Sequence, residues 1–529
     1  MRHAVLRIAA AAGLAMAGVV QGANPAAATL SLPSVLSSHM VLQRDKVVPV
    51  WGAALPGASV TVAFAGQTKV AKADAKGAWR IALDPMTASD ESRSMTVAVA
   101  PADTNQPPIV LTDVLVGEVW LGAGQSNMQI PVGSFAAGDP VLATNATASY
   151  PHLRVLRNVD ARWEPVTPAT CRGFSALMFS FGLPLQKALN VPVGLMVGAV
   201  GGTPSGHWLS EAAYRGDADC QAVAAKAVAA YSPEIETKAL LAYTNALVAW
   251  ERSVEGAKAA GKPIPRKPSA PVKPGTCTGV VGNLYEHWIR PFQPYAIRGV
   301  LWDQGESGTA IQGLDQYTLM GALIRGWRQE WGQGDFPFLY VQKPSGGGCA
   351  WDPADPVTCR AEKFAAVPTA VPADGVYREM HIRIMKYTNT AMVIASDLGS
   401  GTHPVCKSGY GVRAARVALG QVYGQPVEIY GPVYTSHAVE GNKVRVHFAH
   451  VGQGLAARPA DKLQGFAVAG ADKQFHWAEA VVDGDTVLVS SDKVPAPVAV
   501  RYAWSHTHPW ANLFNKDGLP ALSFRTDAW

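Results

Sequence analysis

The sequence predicts a parallel, three-layer α/β/α domain with β-rich elements at both of its ends. Two observations carry this expectation. Between about residues 111 and 425, short apolar runs that read as buried strands alternate with stretches of helical periodicity. On either side of that region the chain breaks into short β runs punctuated by Gly, Pro and Asp turns. Size agrees: 529 residues exceed one ordinary core, so two or three domains are expected.

Composition narrows the class. Charged residues are only 16% while Gly and Pro number 51 and 38, which suits a compact, loop-rich protein rather than a helical bundle or a disordered chain. The formal charge of +5 is spread without a long basic run, so a nucleic-acid partner, which needs clustered Lys and Arg, is not expected.

Residues 1–28 read as a signal peptide. Arg2 and Arg7 supply a positive start, residues 8–20 form a small-apolar stretch too short to span a bilayer securely, and Ala26-Ala27-Ala28 offers a cleavage site. A secreted or periplasmic protein is expected, with no membrane association after cleavage because no other apolar run reaches membrane length.

Residues 29–110 follow as an N-terminal β-rich domain, with strands at 47–52, 59–64, 77–83 and 95–100, several alternating in period two. A small β-sandwich is expected, either a carbohydrate-binding module or a structural lobe. In the central region, buried strands are expected at 114–121, 193–200, 297–302, 338–342 and 391–397, and helices at 175–189, 314–331 and 412–423. Residues 211–275 read as an inserted helical excursion that ends in a proline-rich linker with solvated lysines. A C-terminal β-rich element occupies 426–529, with strands at 427–430, 443–448, 466–469, 486–490 and 499–504.

All six cysteines follow the signal segment, and an even count in an exported chain favours disulfides. Cys349 and Cys359 enclose a short polar loop with two prolines and are the expected pair. The cysteine spacings carry no zinc signature, so no metal is expected.

The chemistry gathers at strand ends. The apolar run from Val114 stops at Gly122 and Gly124, and Ser126 follows at once. In a parallel sheet such a turn presents its next polar residue at the carboxyl edge, where open α/β folds bind ligands. Ser126 is therefore a candidate nucleophile if a histidine meets it. His403-Pro404, in the glycine loop after the strand ending at Asp397, supplies one. Gly201-Gly202-Thr203 leaves another strand and lets backbone N–H groups approach a substrate oxygen; Gln304, after a third, offers a side-chain amide. Taken singly, each segment has a plainer reading as a turn or a surface loop. The case rests on their forming one rim.

These segments carry a family resemblance. Gly124-Gln125-Ser126-Asn127-Met128, Gly201-Gly202-Thr203, Trp302-Asp303-Gln304-Gly305-Glu306-Ser307 and His403-Pro404 resemble the four blocks of the SGNH-type hydrolases, in their sialate O-acetylesterase-like carbohydrate acetylesterase branch. The likeness extends to Leu36–Gln43, Arg378-Glu379, Tyr502-Ala503-Trp504 and Gly518-Leu519-Pro520, nearly the whole mature chain. It implies a flavodoxin-like α/β/α domain and a serine esterase without metal or other cofactor, whose partner is an acetylated carbohydrate. Ser126 would be nucleophile and His403 base, with the Ser126 and Gly202 N–H groups and the Gln304 side chain as oxyanion hole. Asn127 and Glu306 would support them, Glu306 as a buried carboxylate holding the Gly201-Gly202 and Ser126 loops.

Two departures from the family pattern bear on the site. The family places a carboxylate two or three residues before the histidine, where this chain has Ser400 and Gly401. Asp397 is the nearest substitute, Asp303 is an alternative, and a Ser–His dyad held by a backbone carbonyl is the third reading. Gly308 stands where Asn is usual, at the pocket wall. Trp208, Trp302 and Trp351 are candidates for stacking on sugars, Trp351 foremost because it lies in the polar cysteine loop. The expected substrate is acetylated plant hemicellulose, xyloglucan or xylan. Acetylated sialic acid is the alternative within the class, and a sugar-binding protein that has lost the reaction is the alternative outside it. A lipase or thioesterase would instead require a long apolar acyl pocket. Oligomeric state is not legible.

Overall fold

The computed structural model describes residues 30–100 and 107–529, so the expected signal peptide lies outside the described residues. Seven strands form the central path: β1 (Ile109–Gly124), β2 (Tyr150–Leu156), β3 (Glu164–Val166), β4 (Val193–Ala199), β5 (Gly299–Asp303), β6 (Phe338–Val341) and β7 (Thr390–Val393). Their order is β7-β6-β5-β1-β4-β2-β3, parallel throughout except for the β2–β3 pair. The helices that bear on the site are α1 (Ser126–Gln129), α2 (Ala176–Leu189), α3 (Pro233–Ala259), α4 (Gln316–Trp331) and α5 (Lys407–Gln421).

Helices cover both sheet faces. Met178 of α2 packs on Gly122 of β1, and α5 lies against α2, Gly411 meeting the backbone of Ser180. On the opposite face Trp302 of β5 makes edge contacts with Trp327 of α4 and with Trp208, at 5.8 and 6.0 Å between ring centroids. Trp208 and Trp302 are thus core residues, 0% and 1% exposed, and neither is available to a sugar. β1 is central because its second half, from Val114 to Gly124, is buried along its whole length and pairs with both β4 and β5. β4 and β5, consecutive along this path of the chain, lie on opposite sides of β1, so the strand order switches there and the carboxyl end of β1 is where ligands bind in sheets of this kind.

The expected boundary between residues 110 and 111 falls inside β1. The first half of that strand pairs antiparallel with Ser89–Ala100, while Val41–Gln43 pairs parallel with its middle. One strand therefore belongs to both lobes, and a single apolar core runs from Leu30 to Leu522. Asp113, at φ 55°, lies just before the continuously buried half of that strand. Arg154 donates to its carboxylate there, at 3.2 Å from Nη2 to Oδ1.

The excursion at 211–275 is helical, dominated by α3. Ala257 is the buried residue of that helix, so it lies along the surface with Leu240 and Leu241 exposed. At the C-terminal end, two four-stranded antiparallel sheets share a second core that contains Val446, Val489, Phe466 and Tyr502. The expected strand at 427–430 is not formed. Glu428 accepts hydrogen bonds from the N–H groups of Ile429 and Tyr430, which diverts them from any ladder, and pairing begins after Pro432 with Val433–Glu440.

Candidate active site

Four strand ends meet at one rim. After β1, Gly124 turns the chain at φ 128°; a Cβ there would lie 2.2 Å from the Asp303 carbonyl oxygen, so only glycine lets β1 and β5 come this close. Gln125 then donates its N–H to that same oxygen, and Ser126 opens the short helix α1. After β4, Gly201 donates to Gln129 Oε1 at 2.8 Å, which fastens the glycine loop beside the serine turn. Gly202 follows at φ 71°, with open space where a side chain would stand.

His403 Nε2 and Ser126 Oγ are 2.8 Å apart although the residues are 277 positions apart in sequence. Among the described residues neither the Ser126 N–H nor the Gly202 N–H has an acceptor. Gly201, Gly202, Thr402 and His403 are exposed, so this constellation faces solvent. A serine in contact with a histidine, beside backbone N–H groups without acceptors, supplies the kinds of group that acyl transfer needs.

The expected orienting acids are engaged elsewhere. Asp397 is fully buried and takes both arms of the Arg413 guanidinium, at 2.6 and 3.2 Å. Asp303 is buried against Lys343, whose Nζ is 2.7 Å from Oδ1. Burial raises the Asp303 carboxyl above its ordinary range, although Lys343 opposes the shift. Among the described residues nothing bonds to His403 Nδ1. Ser126 and His403 thus meet as a pair with no carboxylate on the imidazole.

Gln304 also departs from expectation. Its Nε2 donates to the carbonyls of Thr203 and Gly308, at 3.2 and 3.3 Å, and its Oε1 accepts from Gln316. With both amide protons engaged and the side chain fully buried, Gln304 is a strut between the β4 and β5 loops rather than an oxyanion donor.

Glu306 braces the serine turn but not the glycine loop. It accepts from Gln125 Nε2 and, at 2.8 Å, from Asn127 Nδ2, while Lys343 Nζ lies 2.6 Å away. Burial alone would raise its carboxyl, yet Lys343 holds it below its ordinary value. Asp303 and Glu306 in turn keep Lys343 charged against the opposite pull of its burial.

Trp351 stands between Phe514, edge-on at 5.7 Å, and the Arg458 guanidinium at 5.3 Å. It anchors the cysteine loop to the C-terminal sheets, and none of these contacts is with the Ser126 rim. The cysteines differ from expectation as well. Cys349 Sγ lies 3.3 Å from the Ala511 carbonyl, whereas Cys359 Sγ lies 3.5 Å from Cys406 Sγ; all six thiols are free.

Among solved structures, a carbohydrate acetylesterase from Xanthomonas citri matches at 30% identity with a TM-score of 0.71, over 95% of this chain and 100% of that one. The chain belongs to the sialate O-acetylesterase-like carbohydrate acetylesterases, a group of carboxylic ester hydrolases. The human sialate O-acetylesterase is 26% identical over 518 residues, 89% of this chain and 87% of that protein. The rat sialate O-acetylesterase is 29% identical over 346 residues, and the match spans 60% of its length. No family model matches the chain.

One residue at the site was invisible in the sequence. Lys407, 1% exposed, donates from Nζ to Asn127 Oδ1 at 2.7 Å. Nothing in its local pattern distinguishes it from a surface lysine. Its position four residues after His403 was the only available signal.

Proposed function

We propose that this chain is a serine carbohydrate esterase of the SGNH type that removes O-acetyl groups from sugar hydroxyls. The observation that carries the proposal is the 2.8 Å approach of His403 Nε2 to Ser126 Oγ beside two backbone N–H groups that have no other acceptor among the described residues. Ser126 Oγ attacks the acetyl carbonyl carbon while His403 Nε2 takes the hydroxyl proton. The carbonyl oxygen, now negative, accepts from the Ser126 and Gly202 N–H groups. Collapse breaks the ester C–O bond, and His403 returns the proton to the departing sugar oxygen. Water then attacks the acetyl-serine with His403 as base, and acetate leaves.

Hemicellulose bearing acetyl groups, xyloglucan or xylan, is the substrate we infer, since the open rim suits a bulky polymer. The names of the mammalian relatives favour a second reading, acetylated sialic acid. Residues 1–28 support export to a secreted or periplasmic location. There Cys359 and Cys406, rather than Cys349 and Cys359, are the pair placed to be oxidised.

Ser126→Ala is expected to abolish hydrolysis of p-nitrophenyl acetate by the pure protein. Acetate release from acetylated xylan, acetylated xyloglucan and O-acetyl sialic acid, compared as kcat/KM, assigns the sugar. Absence of turnover on every acetyl ester would instead favour a sugar-binding protein that has lost the reaction.

A further inference from the structure

The loop that carries His403 has little to hold it. Ser400, Gly401, Thr402 and His403 are exposed, Gly399 and Gly401 sit at φ 92° and 86°, and only Pro404 is buried. Residues 400–404 make two hydrogen bonds to the rest of the described protein. One is the His403–Ser126 contact itself; the other runs from Asn127 Nδ2 to the Thr402 carbonyl, at 2.9 Å. With no carboxylate on His403 Nδ1, the ring is placed through the backbone of its own loop, and Asn127 is the side chain that grips that backbone.

Asn127 can do this in only one orientation of its amide. Both Nδ2 protons point at acceptors, Glu306 Oε1 and the Thr402 carbonyl, and Oδ1 faces the Lys407 ammonium. A flipped amide would set its oxygen against a carboxylate and a carbonyl and its NH2 against a lysine, losing all three hydrogen bonds. Lys407 is thus the donor that enforces the orientation.

Burying a lysine there is costly. Lys407 is the first residue of α5, where the helix dipole disfavours a cation. Burial lowers its ammonium to about 7, with Lys343 adding to the shift and Asp303, Glu306 and Asp139 opposing it. The rings of Phe135 and Tyr410 enclose it at 4.8 and 4.9 Å. Its one hydrogen bond to a side chain of the described protein goes to Asn127. A methionine would fill this aromatic slot at lower cost to stability, so the amine is there for the bond it makes.

We propose that Lys407 is a positioning residue for the esterase reaction: it orients the Asn127 amide, which tethers the His403 loop at Thr402 and so replaces the acid that the histidine lacks. This rests on the Ser126–His403 reading given above. The test is steady-state hydrolysis of p-nitrophenyl acetate, with active sites counted by a fluorophosphonate so that rates refer to folded enzyme. Misplacement of a catalytic group by an ångström costs up to about 100-fold, so Lys407→Met and Asn127→Ala are each expected to lower kcat about 10- to 100-fold while KM stays near wild type. Because both act through one tether, the double variant is expected to be no slower than Asn127→Ala alone.

Asn127→Ala takes away the side-chain acceptor of Lys407 but leaves the lysine in its slot between Phe135 and Tyr410, and it decides the question where Lys407→Met does not fold. Wild-type kcat in Asn127→Ala, or losses that multiply in the double variant, overturns the tether while Ser126→Ala remains inactive. Full turnover in Ser126→Ala overturns the esterase reading and the tether together.

Discussion

At the residue scale, this site shows how a carboxylate can sit near a catalytic histidine in sequence and still serve another purpose. Asp397 lies six residues before His403, but its two oxygens are bound by Arg413 in the interior. Removing one partner of a buried pair leaves the other charge without compensation, at about 3–5 kcal/mol. Asp397→Asn is therefore expected to lower the thermal midpoint markedly and to leave kcat per titrated active site unchanged. Calorimetry alongside active-site titration separates the two effects. A kcat reduced by orders of magnitude at an unchanged midpoint would return Asp397 to the role of orienting acid. Gln304 teaches the same lesson for a donor: the sequence shows a neutral amide at a strand end, and only the fold shows that both protons are already given to Thr203 and Gly308.

At the scale of elements, the segment from β7 to α5 governs the histidine. The apolar pattern predicts a helix from residue 412, yet α5 begins at Lys407. Its first turn is capped from outside, since Asp139 accepts from the Ser408 N–H at 2.8 Å and from Ser408 Oγ at 2.7 Å. A cap supplied by a residue 269 positions away leaves no local signature, so the apolar pattern alone starts this helix too late. The early start brings Cys406 to the end of the histidine loop, with exposed Cys359 3.5 Å from it. Burial and the neighbouring Cys359 raise the Cys406 thiol to about 12, so Cys359 is the more accessible partner for exchange. Glutathione disulfide is expected to oxidise this pair, two thiols losing two protons and two electrons to form one S–S bond while two glutathione thiols are released. Peptide mapping of the unreduced protein should recover a Cys359–Cys406 cross-linked fragment, absent from Cys359→Ser. Recovery of Cys349 linked to Cys359 would refute this pairing.

At the scale of the whole molecule, the alternation of strands and helices was legible, as were the serine, the histidine and the glycine loop, because each depends on local apolar runs that end in turns. The joint between lobes was not. Period-two alternation before residue 111 and continuous apolarity after it read as two domains, whereas β1 passes through both pairings. The polar centre of that joint is Glu118 of β1, fully buried. It accepts from Arg44 and Gln43 of the N-terminal lobe, and from Arg298 before β5 at 2.7 and 3.0 Å. Burial alone would raise this carboxyl, but Arg298 and Arg44 hold it below its ordinary 4.5. Because the folded value is the lower one, an unfolded chain takes up this proton first as pH falls. The stabilisation from Glu118 is therefore complete above about 4.5 and is lost as pH drops below that towards the folded value. Glu118→Gln is expected to lower stability at pH 7 and to flatten its dependence on pH below 4.5, as measured by denaturant unfolding at a series of pH values. Since one core and one strand serve both lobes, the N-terminal lobe and the sheet should unfold together in each of these experiments. A variant that melts the N-terminal lobe separately, while active sites still react with the fluorophosphonate, would show that Glu118 does not couple them.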